Sequence, residues 1–310
     1  MSGMRVLDVD EQERVLIALP TGGARAAGGA PSTGGEVRLV EVDAKGKSRE
    51  LAAVADAAAA RYLPGERKVV VQHGTPARLS LVQIGGKLTP LVGSDDHANE
   101  LLGVLPGRIV YRTNRKHRLL YSVVIRNVLV GEEQAVYDRG GAVIESAVSP
   151  NSRYIAIRLP RKLLLVDTMP VTEDDHVRLI SAEPAARGRA NLRWLPDSAR
   201  LTAVEYEPES ARVVRFDVAS ESWHPLVVSL DPTARGWTAP DGRRVAVAVG
   251  NELSLYQTDN GRFLRSTTVD GEIEDFHWSP DSRAIALRTT TGHVAVVRAE
   301  SAATRLVQVG

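Results

Sequence analysis

One turn recurs along this chain and constrains it more than any other feature. Near the C-terminus the sequence runs from Trp278 through Ser-Pro-Asp-Ser-Arg to Ala284-Ile-Ala-Leu-Arg288. An apolar segment ends, proline and aspartate make a turn, and an alternating strand follows. Proline presets its own φ, and aspartate can accept hydrogen bonds from the amides ahead of it. The period-2 alternation in AIALR and in His293–Arg298 puts successive side chains on opposite faces of a sheet. A turn proline followed five residues later by an apolar residue recurs at Pro64/Val69, Pro150/Ile155, Pro196/Leu201, Pro240/Val245 and Pro280/Ile285. Pro106 joins the series with a turn two residues shorter, reaching Ile109, and the intervals from Pro64 onward are 42, 44, 46, 44 and 40 residues. At the start Asp10 takes the place of proline, with Val15 five positions on, which makes seven units.

Repeats of this length with four strands each are the sequence mark of a β-propeller. The expected fold is a single all-β domain, a seven-bladed antiparallel β-propeller with six blades as the fallback. Its blades fall approximately at 4–52, 53–93, 98–138, 142–181, 188–228, 234–269 and 272–309. A low-complexity insertion, Gly22–Gly35, lengthens the first unit and is expected to be a flexible loop. The alanine-rich Asp56–Arg61 segment is read as the start of an inner strand, and Gly250-Asn251 as a tight hairpin.

The Pro-Asp/Asn-Ser/Gly turn before an Arg-x-x-Ile/Val-Ala strand resembles the TolB-type propeller repeat, distantly akin to WD repeats. The Gly-His and Trp-Asp dipeptides of WD repeats are not at their usual places, and units one to three depart from the pattern. The resemblance implies a fold and no activity. The first strand falls at the start of the first unit and the last at the end of the seventh. Ring closure is therefore expected to rest on face-to-face packing of unit one against unit seven. The alternative is that Met4–Leu7 pairs as an outer strand of unit seven.

Composition narrows the function classes. A net charge of +1 over 310 residues gives no global electrostatic case for nucleic acid or an anionic membrane. With no cysteine there are no disulfides, thiolate metal sites or cysteine nucleophiles. No apolar run approaches the roughly 20 residues of a membrane span, and the N-terminus lacks the order of a secretory signal. The chain as written is expected to be cytoplasmic and a monomer on its own, or extracytoplasmic if a leader has been removed.

Propeller geometry sorts the candidate sites. Second-to-third-strand hairpins and outer-to-inner loops emerge on one face, here called the top, and the Pro-Asp-Ser turns emerge on the bottom. Asp281 and Asp197 are expected to organise their turns. Asp95-Asp96-His97 falls in a top loop and Asp174-Asp175-His176 in a bottom loop, so they cannot build one metal site, and adjacent ligands rarely converge on one ion. Glu100, Glu145, Asn191, Arg235, Glu272 and Glu274 begin inner strands and should ring the top mouth of the channel. Their carboxylates and amide could hold a hard cation such as calcium, as in propeller-fold lactone hydrolases, although Arg235 opposes it. No Gly-x-Ser-x-Gly elbow supports a serine hydrolase, and His277 in an inner strand is better explained by a hydrogen-bond partner.

The third-unit hairpin carries Arg112, Arg115, Lys116, His117 and Arg118, and the fourth supplies Arg158, Arg161 and Lys162, with His73 and Arg78 in the matching loop of unit two. Such a patch suits an acidic surface, although exposed hairpins are also charged for solubility. It lacks interleaved aromatics for stacking on nucleic acid. The sequence therefore points to a non-enzymatic interaction or scaffold module. It is expected to use no cofactor and to bind another protein, with an acidic surface, through its top face. The rival is a metal-dependent, lactonase-like hydrolase using Glu100, Glu145, Asn191, Glu272 and Glu274.

Overall fold

A computed structural model describes residues 4–21, 35–83, 86–169, 176–182, 188–229 and 231–307. Twenty-eight strands form seven four-stranded antiparallel sheets, each built from four consecutive strands in sequence order. The inner strands are Arg5–Val9, Ala59–Tyr62, Asn99–Leu105, Glu145–Val148, Arg189–Trp194, Arg235–Thr238 and Ile273–Trp278. The chain is a seven-bladed propeller, so the six-blade fallback does not apply. The fold-level resemblance to propeller repeats holds.

The pattern of apolar residues explains why the sheets stack. Middle strands such as Lys68–His73 (KVVVQH) and Lys162–Asp167 (KLLLVD) are apolar nearly throughout, because both of their faces are covered by neighbouring blades. One apolar cluster fills each of the seven interfaces between blades. Burial of this kind contributes roughly 25 cal/mol per Å² of apolar surface. The alanine-rich start of blade two is an inner strand from Ala59, with Asp56 at φ 49° in the loop before it. Gly250-Asn251 closes a two-residue hairpin between paired Val249 and Glu252. The Gly22–Gly35 insertion, apart from Gly35, lies outside the described residues.

The recurrent turns do two jobs. Within a blade, Asp197 Oδ1 accepts from the Ala199 and Arg200 amides at 2.9 and 3.1 Å, and Asp281 Oδ1 from the Arg283 amide at 3.1 Å. Between blades, the turn serines at positive φ, Ser152, Ser198 and Ser282, offer their hydroxyls to the preceding turn. The Asn151 amide donates to Ser198 Oγ at 3.0 Å, the Asp241 amide to Ser282 Oγ at 2.7 Å, and Arg108 Nη2 to Ser152 Oγ at 3.1 Å. Blade six has Gly242 (φ 70°) at this position, where a Cβ would lie 2.9 Å from Pro196 Cδ. Indole N–H groups add further stitches: Trp194 to Ala147 O at 2.9 Å and Trp278 to Trp237 O at 3.0 Å.

Closure of the ring uses no exchanged strand. Arg5–Val9 pairs with Val15–Pro20 of its own blade, and the last strand, Thr304–Val307, pairs with Val294–Arg298. The alternative pairing of Met4–Leu7 with blade seven is thus corrected. That segment is the inner strand of blade one, and its apolar side chains Met4, Val6 and Val9 face Ala284, Ala286, Val294 and Val296 across the seam. Arg288 Nη1 to Met4 O (2.8 Å) and Arg298 Nε to Glu13 Oε1 (3.1 Å) are polar bonds across it.

Candidate functional site: the top face

Three features of the top face follow from the fold. The first is the channel mouth. Glu100 and Glu145 stand directly across the sheet from Arg112 and Arg158 of their second strands. Opposite charges at paired positions form ion pairs. Arg112 Nε donates to Glu100 Oε2 at 3.1 Å, the Tyr121 hydroxyl donates to Glu100 Oε1 at 3.1 Å, and Arg158 Nε lies 3.3 Å from Glu145 Oε2. Glu145 also accepts from the amides of Asn191 (3.2 Å) and Leu192 (2.7 Å) in the next blade. Glu274 pairs with Arg288. Three of the four carboxylates suggested for a cation are therefore held by arginines of their own blades. Glu272 is exposed, its amide bonded to Thr290 Oγ1, and Asn191 sits at a strand irregularity with φ 57°. Among the described residues no group of three or more His, Asp or Glu is placed to hold a metal ion. Asp95 of the first Asp-Asp-His triplet pairs with Arg78. In the second, Asp174 and Asp175 lie outside the described residues, and His176 Nδ1 lies 2.7 Å from Asp167 O. His277 Nε2 is 3.3 Å from Asp275 Oδ2.

The second feature is the basic hairpin cluster. The third-blade hairpin joins Arg108–His117 to Leu120–Asn127. Sequence reading treats its cations as one field, but the structure pairs most of them with carboxylates. Arg112 and Arg158 are held at the mouth, Arg115 binds Glu133 at 2.8 Å, and Lys116 binds Asp138. Glu133 is a hub, accepting also from Arg126 and the buried Tyr111 hydroxyl, both at 2.8 Å. Burial works against its charge, but the bonds from Arg115, Tyr111 and Arg126 outweigh burial and hold its carboxyl below the usual range. In blade two, burial and then the nearby Arg78 hold the His73 imidazole below its usual value, and its Nε2 lies 2.9 Å from Ser80 Oγ. At the hairpin tips, Arg118 and Lys162 are exposed with no ion pair among the described residues, and His117 Nδ1 accepts from the Leu119 amide. Arg161 is exposed at the tip of the fourth hairpin.

The third feature is apolar, and sequence reading missed it. Leu119 is 77% exposed, Leu120 44% and Ile144 45%. A short linker, Gly140–Ile144, joins the two hairpins into one surface. The Tyr121 amide donates to Gly141 O at 3.0 Å and the Ile144 amide to Arg158 O at 2.8 Å. Gly140 (φ 72°) and Gly141 (φ 126°) admit Leu120 and Leu159, which would lie 3.2 and 3.3 Å from an added Cβ. The signal was present in Arg118-Leu119-Leu120, an apolar pair where a tight hairpin normally places glycine or asparagine.

No family profile and no curated protein matches this sequence. Solved structures do. An oligogalacturonate lyase in complex with manganese superposes with a TM-score of 0.68 at 12% identity, covering 94% of this chain and 87% of that one. PorZ, a surface component of the type-IX secretion system of Porphyromonas gingivalis, gives 0.66 at 11%, covering 99% of this chain and 39% of that one. TolB from Acinetobacter baumannii gives 0.49 at 15%, with 90% and 66% covered. The likeness to the first two is one of fold. No helix among the described residues is long and apolar enough to cross a membrane.

Proposed function

We propose that this chain is a non-enzymatic interaction module that docks a protein partner on its top face at blades three and four. The observation that carries the reading is the exposure of Leu119, Leu120 and Ile144 on the third-blade hairpin and its linker, with exposed Arg118 and Lys162 at the hairpin tips. An exposed apolar patch with a polar rim is the anatomy of a docking surface. The rim cations favour an acidic partner. Arg112, Arg115, Lys116 and Arg158, paired within the chain, hold the hairpins in shape. Pairing shrinks the steering field relative to a count of arginines, so contact with the leucines supplies the affinity and the two rim cations the association rate. Arginine pairing of Glu100, Glu145 and Glu274 leaves no comparable support for a metal-dependent hydrolase.

The test is site-specific photo-crosslinking in the native host. A photo-reactive residue at position 119 is compared with one at position 306, where Leu306 is also exposed, on the outer strand of blade seven. A partner captured at 119, not at 306, and lost when Arg118 and Lys162 are both changed to Glu, supports the reading. Equal capture at both positions, or capture indifferent to the charge reversal, overturns it.

A further inference from the structure

The inner strands of blades one, two and seven border a cavity of about 170 Å³ that is open to solvent on one side. Arg5, Arg61, Asp275, His277 and Arg288 line it, with Leu7 and Ala59 as apolar wall. The arginines are positioned by main-chain carbonyls: Arg5 donates to Ala57 O, Arg61 to Leu7 O and Ala60 O, and Arg288 to Met4 O. Only Arg288 has a carboxylate partner, Glu274; Arg5 and Arg61 form no ion pair among the described residues. A guanidinium has five N–H donors, so Arg5 and Arg61 keep most of theirs for the cavity.

A further guanidinium stands near the cavity without lining it. Arg193, on the inner strand of blade five, makes no hydrogen bond or ion pair among the described residues, and lies 4.7 Å above the Trp237 ring. That ring meets His277 edge-on at 5.3 Å, which links Arg193 to the cavity wall. The Arg193 side chain is exposed. Carboxylates stand close by: Asp275 lines the cavity and accepts from the Phe276 amide at 2.9 Å and from His277, and Asp8 accepts from the Tyr62 amide at 2.8 Å. Arg5, Arg61 and Arg288 outnumber Asp275 on the cavity wall, and Arg5 and Arg61 have no carboxylate within ion-pair distance among the described residues, so the space favours an anion.

We infer that the axial cavity is a binding site for a small hydroxy-carboxylate. Arginine forks match a carboxylate with two parallel hydrogen bonds. Asp275 supplies an acceptor for a hydroxyl, and Leu7 and Ala59 supply apolar contact. A cavity of roughly 150 Å³ accommodates benzene, so the ligand is about that size or slightly larger. The site is separate from the top-face patch and does not depend on it.

Titration calorimetry at low salt with the full chain tests this, using malate and citrate as probes, succinate as the analogue without hydroxyl, and inorganic phosphate as a plain anion. Malate or citrate is expected to bind, to quench or shift tryptophan emission through Trp237, and to outcompete succinate. Arg61→Lys keeps the charge and loses the fork, and should weaken binding about tenfold, as should Arg5→Lys. Melting curves establish that each variant is folded, and Arg5→Gln serves if either is not. Absence of binding by malate and citrate, equal binding of phosphate, or binding unchanged in the folded variants overturns the inference.

Discussion

Among the described residues no chain segment bridges the seam between blades one and seven, and Ile17→Ala probes it. Ile17 is fully buried in the cluster that joins the two blades. The substitution deletes three carbons, a transfer loss of about 2.4 kcal/mol at roughly 0.8 kcal/mol per methylene. The residual cavity adds to this, and truncations of this kind span about 2–5 kcal/mol, so we expect a loss of about 3–4 kcal/mol. That is a large part of the roughly 5–15 kcal/mol that holds a typical domain together. Denaturant unfolding measures the loss, and amide hydrogen exchange locates it. Faster exchange should concentrate in Arg5–Val9, Val15–Pro20 and Val294–Arg298, because these blades are tethered only by packing and a few polar bonds. Ile155→Ala, equally buried between blades three and four, is the control. There the linker keeps the blades together, and any loss should spread through the fold. A cost below about 1 kcal/mol for Ile17→Ala, or the same exchange pattern in both variants, would refute the reasoning.

Three further predictions concern the turns, the hub carboxylate and the patch. Ser282→Ala strands the Asp241 amide and should cost about 1–3 kcal/mol, whereas Asp281→Ala, which loses only local turn bonds, should cost about 1 kcal/mol in the same melts. The Glu133 carboxyl is held below its usual range, so its contribution is complete above the unfolded value near about 4.3 and is lost as pH falls through the folded one. Glu133→Gln should therefore flatten the acid limb of a stability–pH profile, and an unchanged limb would count against the hub. Leu119→Ser should leave the melting temperature unchanged while raising the partner's dissociation rate; a melting shift would mean that the leucine packs within the fold.

Repeat, blade number and turn design were legible in the sequence because they are local. A proline, an aspartate two or three residues from the amides it binds, and a period-2 strand carry their geometry with them, as Asp197 and Asp281 show. The topology could be read as well, since each blade is contiguous in sequence. What the sequence could not show is how charges partner. Arg115 and Glu133 are 18 residues apart, and Lys116 and Asp138 are 22 apart. Only the strand register brings them together, and it turns a basic stretch into a set of ion pairs. Register also decides that Glu100 and Glu145 face arginines and not an open mouth. Arg5, Arg61 and Arg193 look unremarkable along the chain, separated as they are by scores of residues. Closing seven sheets around one axis places their inner strands within reach of each other, and a shared axis is a property of the ring, which no single repeat contains.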